Sequence, residues 1–127
     1  MVVSPHPLVP RVERQHQLIE ELRARDRRPL TADSLAGRLG VSVRTIERDV
    51  ADLQNAGIPI ATRRGPGGGY TIVARSRLPP VALDAAEASA LVVSLAAIGP
   101  RASASARTAM AKLLDALTEG NPGWPPS

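Results

Sequence analysis

The sequence has no cysteine and no phenylalanine, and it has one tryptophan and one tyrosine in 127 residues. The absence of cysteine excludes disulfides and thiolate metal sites, and nothing indicates secretion. With so few aromatic residues, any core must consist of Leu, Ile, Val and Ala. The apolar runs are too short to span a bilayer, and residues 1–10 lack the basic and apolar regions of a signal peptide. A cytoplasmic protein that does not associate with membranes is therefore expected.

Positive charge is concentrated in the first part of the chain. Residues 1–78 hold thirteen arginines against eight acidic residues, a net charge of +5. Residues 79–127 hold three basic and four acidic residues, a net charge of −1. A basic first unit and a nearly neutral second unit indicate a polyanion as one partner and a protein as the other.

Two short helices joined by a tight turn are predicted over residues 32–39 and 43–56. Thr31 and Ser42 precede them as N-caps, since their side-chain oxygens can accept bonds from the free N–H groups of a first turn. Gly40 suits the left-handed residue that ends a helix. Two helices with such a turn are typical of a helix-turn-helix, in which the second helix enters the major groove of DNA.

The predicted helix 43–56 has one apolar side and one basic side. At 3.6 residues per turn, its apolar stripe consists of Val43, Ile46, Val50 and Leu53. The middle of the opposite side falls near Arg48, with Arg44 and Thr45 flanking it. Arg can bond guanine O6 and N7 together, and Thr can reach a base edge or a phosphate. The alternative is an ordinary amphipathic helix with a solvated charged side.

An earlier helix is predicted over residues 11–26, after a disordered arm over residues 1–10. Val12, Ile19 and Leu22 form its apolar stripe, with Leu18 at the edge. His16 lies on the border of this stripe, where a partly buried structural histidine is expected rather than a site residue.

Residues 60–63 and 70–73 are predicted as strands, joined by the glycine-rich loop 64–69. Three helices followed by a hairpin predict a winged helix-turn-helix domain over residues 11–73. Arg63 and Arg64 are the natural phosphate contacts of this wing.

The glycines of the loop, Gly67 and Gly68 among them, would let the backbone approach DNA and offer their N–H groups to phosphate. Tyr70 either touches DNA or packs on the wing strand. A nucleotide-binding loop is disfavoured, because no G-x-G-x-x-G, no Lys-Ser/Thr pair and no following helix are present. A flexible hairpin tip without a ligand remains the other alternative.

A linker is predicted over residues 74–83, two helices over 84–119 and a loose tail over 120–127. Asp84 and Glu87 form a variant of the capping box at the start of the first of these helices. Both helices are rich in Ala and Leu, and their apolar surface exceeds what a helical hairpin can bury. Dimerisation, docking on the DNA-binding unit and a simple helical appendage are the three alternatives. The expected fold class is mainly α with a small β-hairpin.

The chain resembles bacterial transcriptional regulators with a DeoR-like winged helix-turn-helix, of the type that carries a C-terminal WYL domain. The resemblance is carried by residues 35–60, which include S-V-R-T-I-E-R-D-V-A-D-L-Q-N-A at 42–56, and by R-R-G-P-G-G-G-Y-T-I at 63–72. It implies sequence-specific operator binding as a homodimer through residues 84–119. The candidate contacts with double-stranded DNA are Thr31, Ser42, Arg44, Thr45, Arg48, Arg63, Arg64, Gly67, Gly68 and Tyr70.

The sequence has no W-Y-L segment, and its one tryptophan lies in the tail. Effector sensing is therefore not carried over from the resemblance, and no small-molecule effector is predicted. A truncated regulator, a fragment of a longer one or a stand-alone DNA-binding protein is expected. The expected function is transcriptional regulation. The alternative is a protein-interaction module whose C-terminal helices bind a full-length regulator or the polymerase. Two distant histidines and no paired carboxylates leave no catalytic site, metal site or cofactor site to predict.

Overall fold

The computed structural model of the chain describes residues 8–25, 28–73, 77–98 and 103–119, together with Gly123 and Pro125. Over these residues the elements are α1 (Leu8–Ala24), α2 (Ala32–Leu39), α3 (Val43–Asn55), β1 (Ile60–Arg63), β2 (Gly69–Ile72), α4 (Ala85–Ile98) and α5 (Ala104–Thr118). The predicted fold class, three helices and a β-hairpin followed by C-terminal helices, is confirmed. The chain divides into two compact units, Met1–Arg77 and Leu78–Ser127.

The core of the first unit is aliphatic. It consists of Leu18, Leu22, Leu30, Leu35, Ala36, Ile46, Val50, Leu53, Ile60 and Ile72. Leu18 is fully buried, so the prediction that placed it at the edge of the α1 stripe is wrong. The reason is that Leu18 and Leu22 are four residues apart and share one side of the helix. Val12 is only half-buried and does not lie at the centre of that side.

Helix α1 starts at Leu8, three residues before the predicted start, and ends at Ala24 rather than residue 26. Pro10 lies in the first turn, where its missing N–H costs no helical bond. The rest of the predicted arm, residues 1–7, lies outside the described residues, as do position 26 and, in the linker, position 75. Positions 99–102, in the segment predicted to hold two helices, and positions 120–122, 124 and 126–127 of the predicted tail also lie outside them.

The turn between α2 and α3 has the predicted construction. Gly40 has φ 69°, in the left-handed region, and the N–H of Val41 donates to the carbonyl oxygen of Ala36 at 3.1 Å. Helix α3 ends at Asn55, one residue earlier than predicted, and Gly57 follows with φ 95°. The two helices are thereby held by local backbone bonds and by their shared core side.

The hairpin is antiparallel, with Ile60 opposite Ile72 and Arg63 opposite Gly69. Strand β2 therefore lies one residue earlier than the predicted range 70–73. The N–H of Leu30 donates to the carbonyl oxygen of Tyr70 at 3.0 Å, and the N–H of Tyr70 donates to that of Leu30 at 2.8 Å. This bridge joins β2 to the segment before α2, so the base of the wing is attached to the helical part.

In the second unit, α4 starts with the predicted capping box. The carboxylate of Asp84 accepts from the N–H of Glu87 at 2.7 Å, and the carboxylate of Glu87 accepts from the N–H of Asp84 at 2.9 Å. Among the hydrophobic residues described in this unit, only Ala88 and Ala106 are buried. No helix within the described ranges is long and apolar enough to cross a membrane.

Candidate nucleic-acid interface

The N-caps of α2 and α3 form as predicted. The hydroxyl oxygens of Thr31 and Ser42 accept bonds, each of 3.1 Å, from the N–H groups of Ser34 and Thr45. The hydroxyl of Ser42 also donates to Oγ1 of Thr45 at 3.0 Å. Because Oγ1 of Thr45 is the acceptor in this pair, its own hydroxyl hydrogen remains able to donate to a phosphate.

Helix α3 buries Ile46, Asp49, Val50 and Leu53. Burying an aliphatic side chain contributes about 1.5–3 kcal/mol, so this side is firmly held in the core. Arg44 and Arg48 are exposed on the other side, while Thr45 is half-buried. The predicted outward position of Thr45 beside Arg48 needs correction, because Thr45 lies at the border of the exposed side.

Asp49 has an exposed fraction of 1% and is the buried charged residue among those described. Its carboxylate accepts hydrogen bonds from Nε of Arg14, from Nη2 of Arg14 at 3.0 Å and from Nε2 of Gln15 at 3.5 Å. The hydrogen bonds that Arg14 donates to Asp49 raise the pKa of the Arg14 guanidinium, against the opposing effect of burial. The pair connects α1 to the middle of α3. Sequence reasoning missed it.

Arg63 and Arg64 are exposed at the end of β1 and in the loop that follows. In the described part of the chain, no ion pair engages either of them, nor Arg44 or Arg48. The four guanidinium groups are therefore available to phosphates and base edges, both of which Arg binds through its planar set of donors.

The wing loop depends on its glycines for its shape. Gly65, Gly67 and Gly69 have φ values of 86°, 72° and 137°. A Cβ atom at Gly68 would lie 2.3 Å from the carbonyl oxygen of Arg63, which excludes any side chain without movement of the backbone.

The expectation that Gly68 offers a free N–H to phosphate is wrong. That N–H donates to the carbonyl oxygen of Gly65 at 2.9 Å within the loop. The glycine at position 68 is needed because the turn leaves no space for a Cβ atom. The contact of Gly67 and Gly68 with DNA stays a prediction.

Tyr70 packs against the core with a half-buried ring. Burial, and to a smaller extent the nearby carboxylate of Glu47, raises the pKa of its phenol. These contacts agree with the packing alternative for Tyr70, and its role as a DNA contact stays a prediction.

An open cleft of about 310 Å³ lies between the start of α2 and the wing. Its lining residues are Thr31, Ala32, Thr62, Arg63, Gly65, Gly67, Gly68, Gly69 and Tyr70. It brings together five of the predicted site residues. The other predicted contacts, on α3, at its N-cap Ser42 and at Arg64, do not line it.

A second unpredicted contact involves Gln54, near the end of α3. Its amide nitrogen donates to the carbonyl oxygen of Ile60 at 2.9 Å and to the hydroxyl of Thr62 at 3.2 Å. This side chain attaches β1, and thus the wing, to α3. No sequence pattern pointed to it, because a polar residue on an exposed helix turn usually contacts solvent.

The fold and this arrangement define a winged helix-turn-helix domain. A family described as an HTH domain matches residues 14–71. The chain is also 39% identical, over 72 residues, to the uncharacterized HTH-type transcriptional regulator YobV of Bacillus subtilis (strain 168). That stretch covers 57% of this chain and 23% of YobV. No solved structure matches the chain significantly.

The residues that match this family, 14–71, run from within α1 to within β2. The chain spans less than a quarter of the length of the regulator it matches. The resemblance to DeoR-like regulators of the WYL type stays a prediction.

Proposed function

We propose that the chain is a sequence-specific DNA-binding transcriptional regulator, with α3 in the major groove and the wing on the phosphate backbone. The observation that carries the proposal is the pair Arg44 and Arg48. Both guanidinium groups are exposed and unpaired in the described part of the chain, on a helix whose other side is fixed in the core. In a helix-turn-helix domain, this is the helix that contacts base edges.

The wing supports the same function. Arg63 and Arg64 extend the exposed positive charge beyond α3, and the net charge of +5 over residues 1–78 adds a long-range attraction to DNA. Phosphate contacts of this kind position a protein on the duplex, while contacts in the groove select the sequence.

Two arginine variants separate these roles. We expect Arg48→Ala to lower discrimination at one base position, by about 1–3 kcal/mol. We expect Arg64→Ala to weaken binding to all sequences alike and to reduce the salt slope by about one. Lys112→Ala in α5 removes the same charge outside the HTH domain and serves as the control.

The measurement is fluorescence anisotropy on duplexes selected from a random pool, with random duplexes as the reference, at two salt concentrations. Arg48→Ala with unchanged base preference would contradict a groove position for that residue. Binding that is undetectable even at low salt would reject DNA binding itself.

The second unit supports a homodimer. Helix α4 consists mostly of Ala, Val, Leu and Ile and has no distinct polar side, and such helices are normally buried. Yet Leu91, Val93 and Leu114 are 46%, 69% and 40% exposed. We propose that a second copy of this chain covers this surface, because two-fold dimers bind the paired half-sites of operators.

The same exposed residues favour a second candidate function, an interaction module that binds a different regulator or the polymerase. Measuring the mass of the purified chain in solution, alone and with DNA, separates the two candidates. A dimer with a palindromic selected site supports the regulator. A monomer that does not bind DNA favours the module.

A further inference from the structure

The side of α3 that enters the core differs from the one predicted by the spacing of its apolar residues. The apolar stripe includes Val43, but Val43 is only half-buried, whereas the charged Asp49 is buried. The buried set then falls at i, i+3, i+4 and i+7, beginning at Ile46. Hydrophobicity alone would not have selected this rotation of the helix.

The consequence appears on the opposite side of α3. At roughly 100° per residue, replacing Val43 by Asp49 turns the centre of the buried side by about 30°. The middle of the exposed side moves from Arg48 towards Arg44, and Ala51 joins them at i, i+4 and i+7. All three are exposed.

On the basis of the proposed DNA-binding function, we infer that the Arg14–Asp49 pair is a positioning device for base recognition. It fixes the rotation of α3 about its axis and so selects Arg44, Arg48 and Ala51 as the residues that face the bases. Neither Arg14 nor Asp49 faces the groove, and both act through the residues they orient.

The geometry of the pair suits this role. Two nitrogens of one guanidinium bind the two oxygens of the Asp49 carboxylate, and such paired bonds restrict direction as well as distance. The carboxylate is buried, so turning α3 would separate a charge from its partners in a place that water does not reach. Apolar contacts lack this directional restriction.

Ala51 gives the inferred rotation a chemical signature. A small apolar side chain on the groove side allows close approach and suits contact with a thymine methyl group. A polar side chain there should form a new contact with a base edge. With the rotation predicted from the apolar stripe, position 51 would lie further from the centre of the reading side.

The main test replaces the pair by apolar residues in the full chain, as Arg14→Met/Asp49→Leu. Net charge is unchanged, and buried ion pairs often tolerate such replacement without loss of folding. The matched control is Glu21→Gln/Arg38→Gln. It removes the exposed 3.1 Å ion pair between α1 and α2 and also leaves net charge unchanged.

Binding is measured on a duplex selected by the wild-type protein and on every single-base variant of it, at fixed salt. We expect the apolar double variant to lose about tenfold in discrimination at the positions read by α3, with an unchanged salt slope and a cooperative thermal transition. The control should keep the wild-type ratios. Ala51→Gln in the wild-type background should change the preferred base at one position.

If the apolar double variant binds all sequences more weakly by the same factor, the ratios of affinity between the selected duplex and its variants are unchanged. The pair would then be merely structural, and this result would overturn the inference. Ala51→Gln selecting the same DNA as wild type would do the same. If the double variant does not fold, Arg14→Lys replaces it, since lysine keeps the charge but not the paired bonds. Unchanged affinity ratios in that variant would equally overturn the inference. A wild-type chain without salt-dependent DNA binding would instead reject the proposed function.

Discussion

At the scale of single residues, Asp49 has the most demanding environment in the first unit. A carboxylate in the core is costly unless its charge is compensated and its oxygens are hydrogen-bonded. Arg14 provides the charge, and Gln15 adds a third donor at 3.5 Å. The side chain of Arg14 stays 23% exposed, so its own desolvation is partial. Removing either partner alone is therefore a different perturbation from removing both.

We expect Arg14→Met to lower the free energy of unfolding by about 3–5 kcal/mol, because it leaves the buried carboxylate of Asp49 without its charged partner. Urea titration followed by circular dichroism measures this loss. Glu21→Gln, also in α1, breaks the exposed ion pair with Arg38 of α2 and should lower the free energy of unfolding by no more than about 1 kcal/mol. Equal losses for the two variants would show that the Asp49 environment is not as described.

Gly68 is restricted by space, and Gly37 is not. A Cβ atom at position 68 would lie 2.3 Å and 2.7 Å from two carbonyl oxygens, whereas one at position 37 meets nothing within 4 Å. We expect Gly68→Ala to distort the wing and weaken binding to all DNA sequences alike. Gly37→Ala, inside α2, should stabilise the fold by about 0.5–1 kcal/mol.

Chemical shifts of the wing amides and anisotropy titrations on random duplexes test both glycine variants. Unchanged wing shifts in Gly68→Ala would contradict the described turn. A stability loss in Gly37→Ala would show that α2 has less space than the structure gives it.

At the scale of elements, the features predicted from the sequence are those that local residues decide. The caps at Thr31 and Ser42, the left-handed Gly40 and the capping box at Asp84 each need residues within a few positions of one another. The structure confirms all four. Helix existence and order followed from these signals and from apolar periodicity.

Two of the features that were not predicted depend on partners distant in sequence. Asp49 lies 35 residues from Arg14, and the bridge between Leu30 and Tyr70 spans 40 positions. An aspartate beside an apolar stripe is by default a solvated residue, so nothing local distinguishes Asp49 from Asp52. For this reason, the predicted rotation of α3 about its axis was slightly wrong, and so was the predicted outward position of Thr45.

Gln54 provides side-chain hydrogen bonds between α3 and the wing, in addition to the apolar core that Leu53 shares with Ile60 and Ile72. We expect Gln54→Ala to leave α3 folded but to loosen β1, because the bonds to Ile60 and Thr62 are lost. Hydrogen exchange of the β1 and β2 amides should become faster, with little change in α1. Asn55→Ala is the neighbouring control, and equal exchange in the two variants would contradict a role for Gln54 in holding the wing.

At the scale of the whole molecule, charge and apolar surface are separated along the chain. The arginines proposed to contact DNA lie in the first unit, while the second unit is nearly neutral and exposes large apolar residues. The low charge of the second unit means that little repulsion opposes pairing between two copies. A dimer would present two copies of α3 to one duplex, which raises affinity for a paired site through effective concentration.

Val93, the most exposed large apolar residue of α4 and α5, provides the test of that arrangement. We expect Val93→Asp to convert a dimer into a monomer, since an unpaired carboxylate would be buried at the interface. Its affinity for a two-half-site operator should fall while that for a single half-site stays the same. Sedimentation equilibrium and anisotropy measure the two effects. Leu78→Asp, an equally exposed position before α4, is the control, and a wild-type chain that is monomeric at operator-saturating concentration would contradict the dimer.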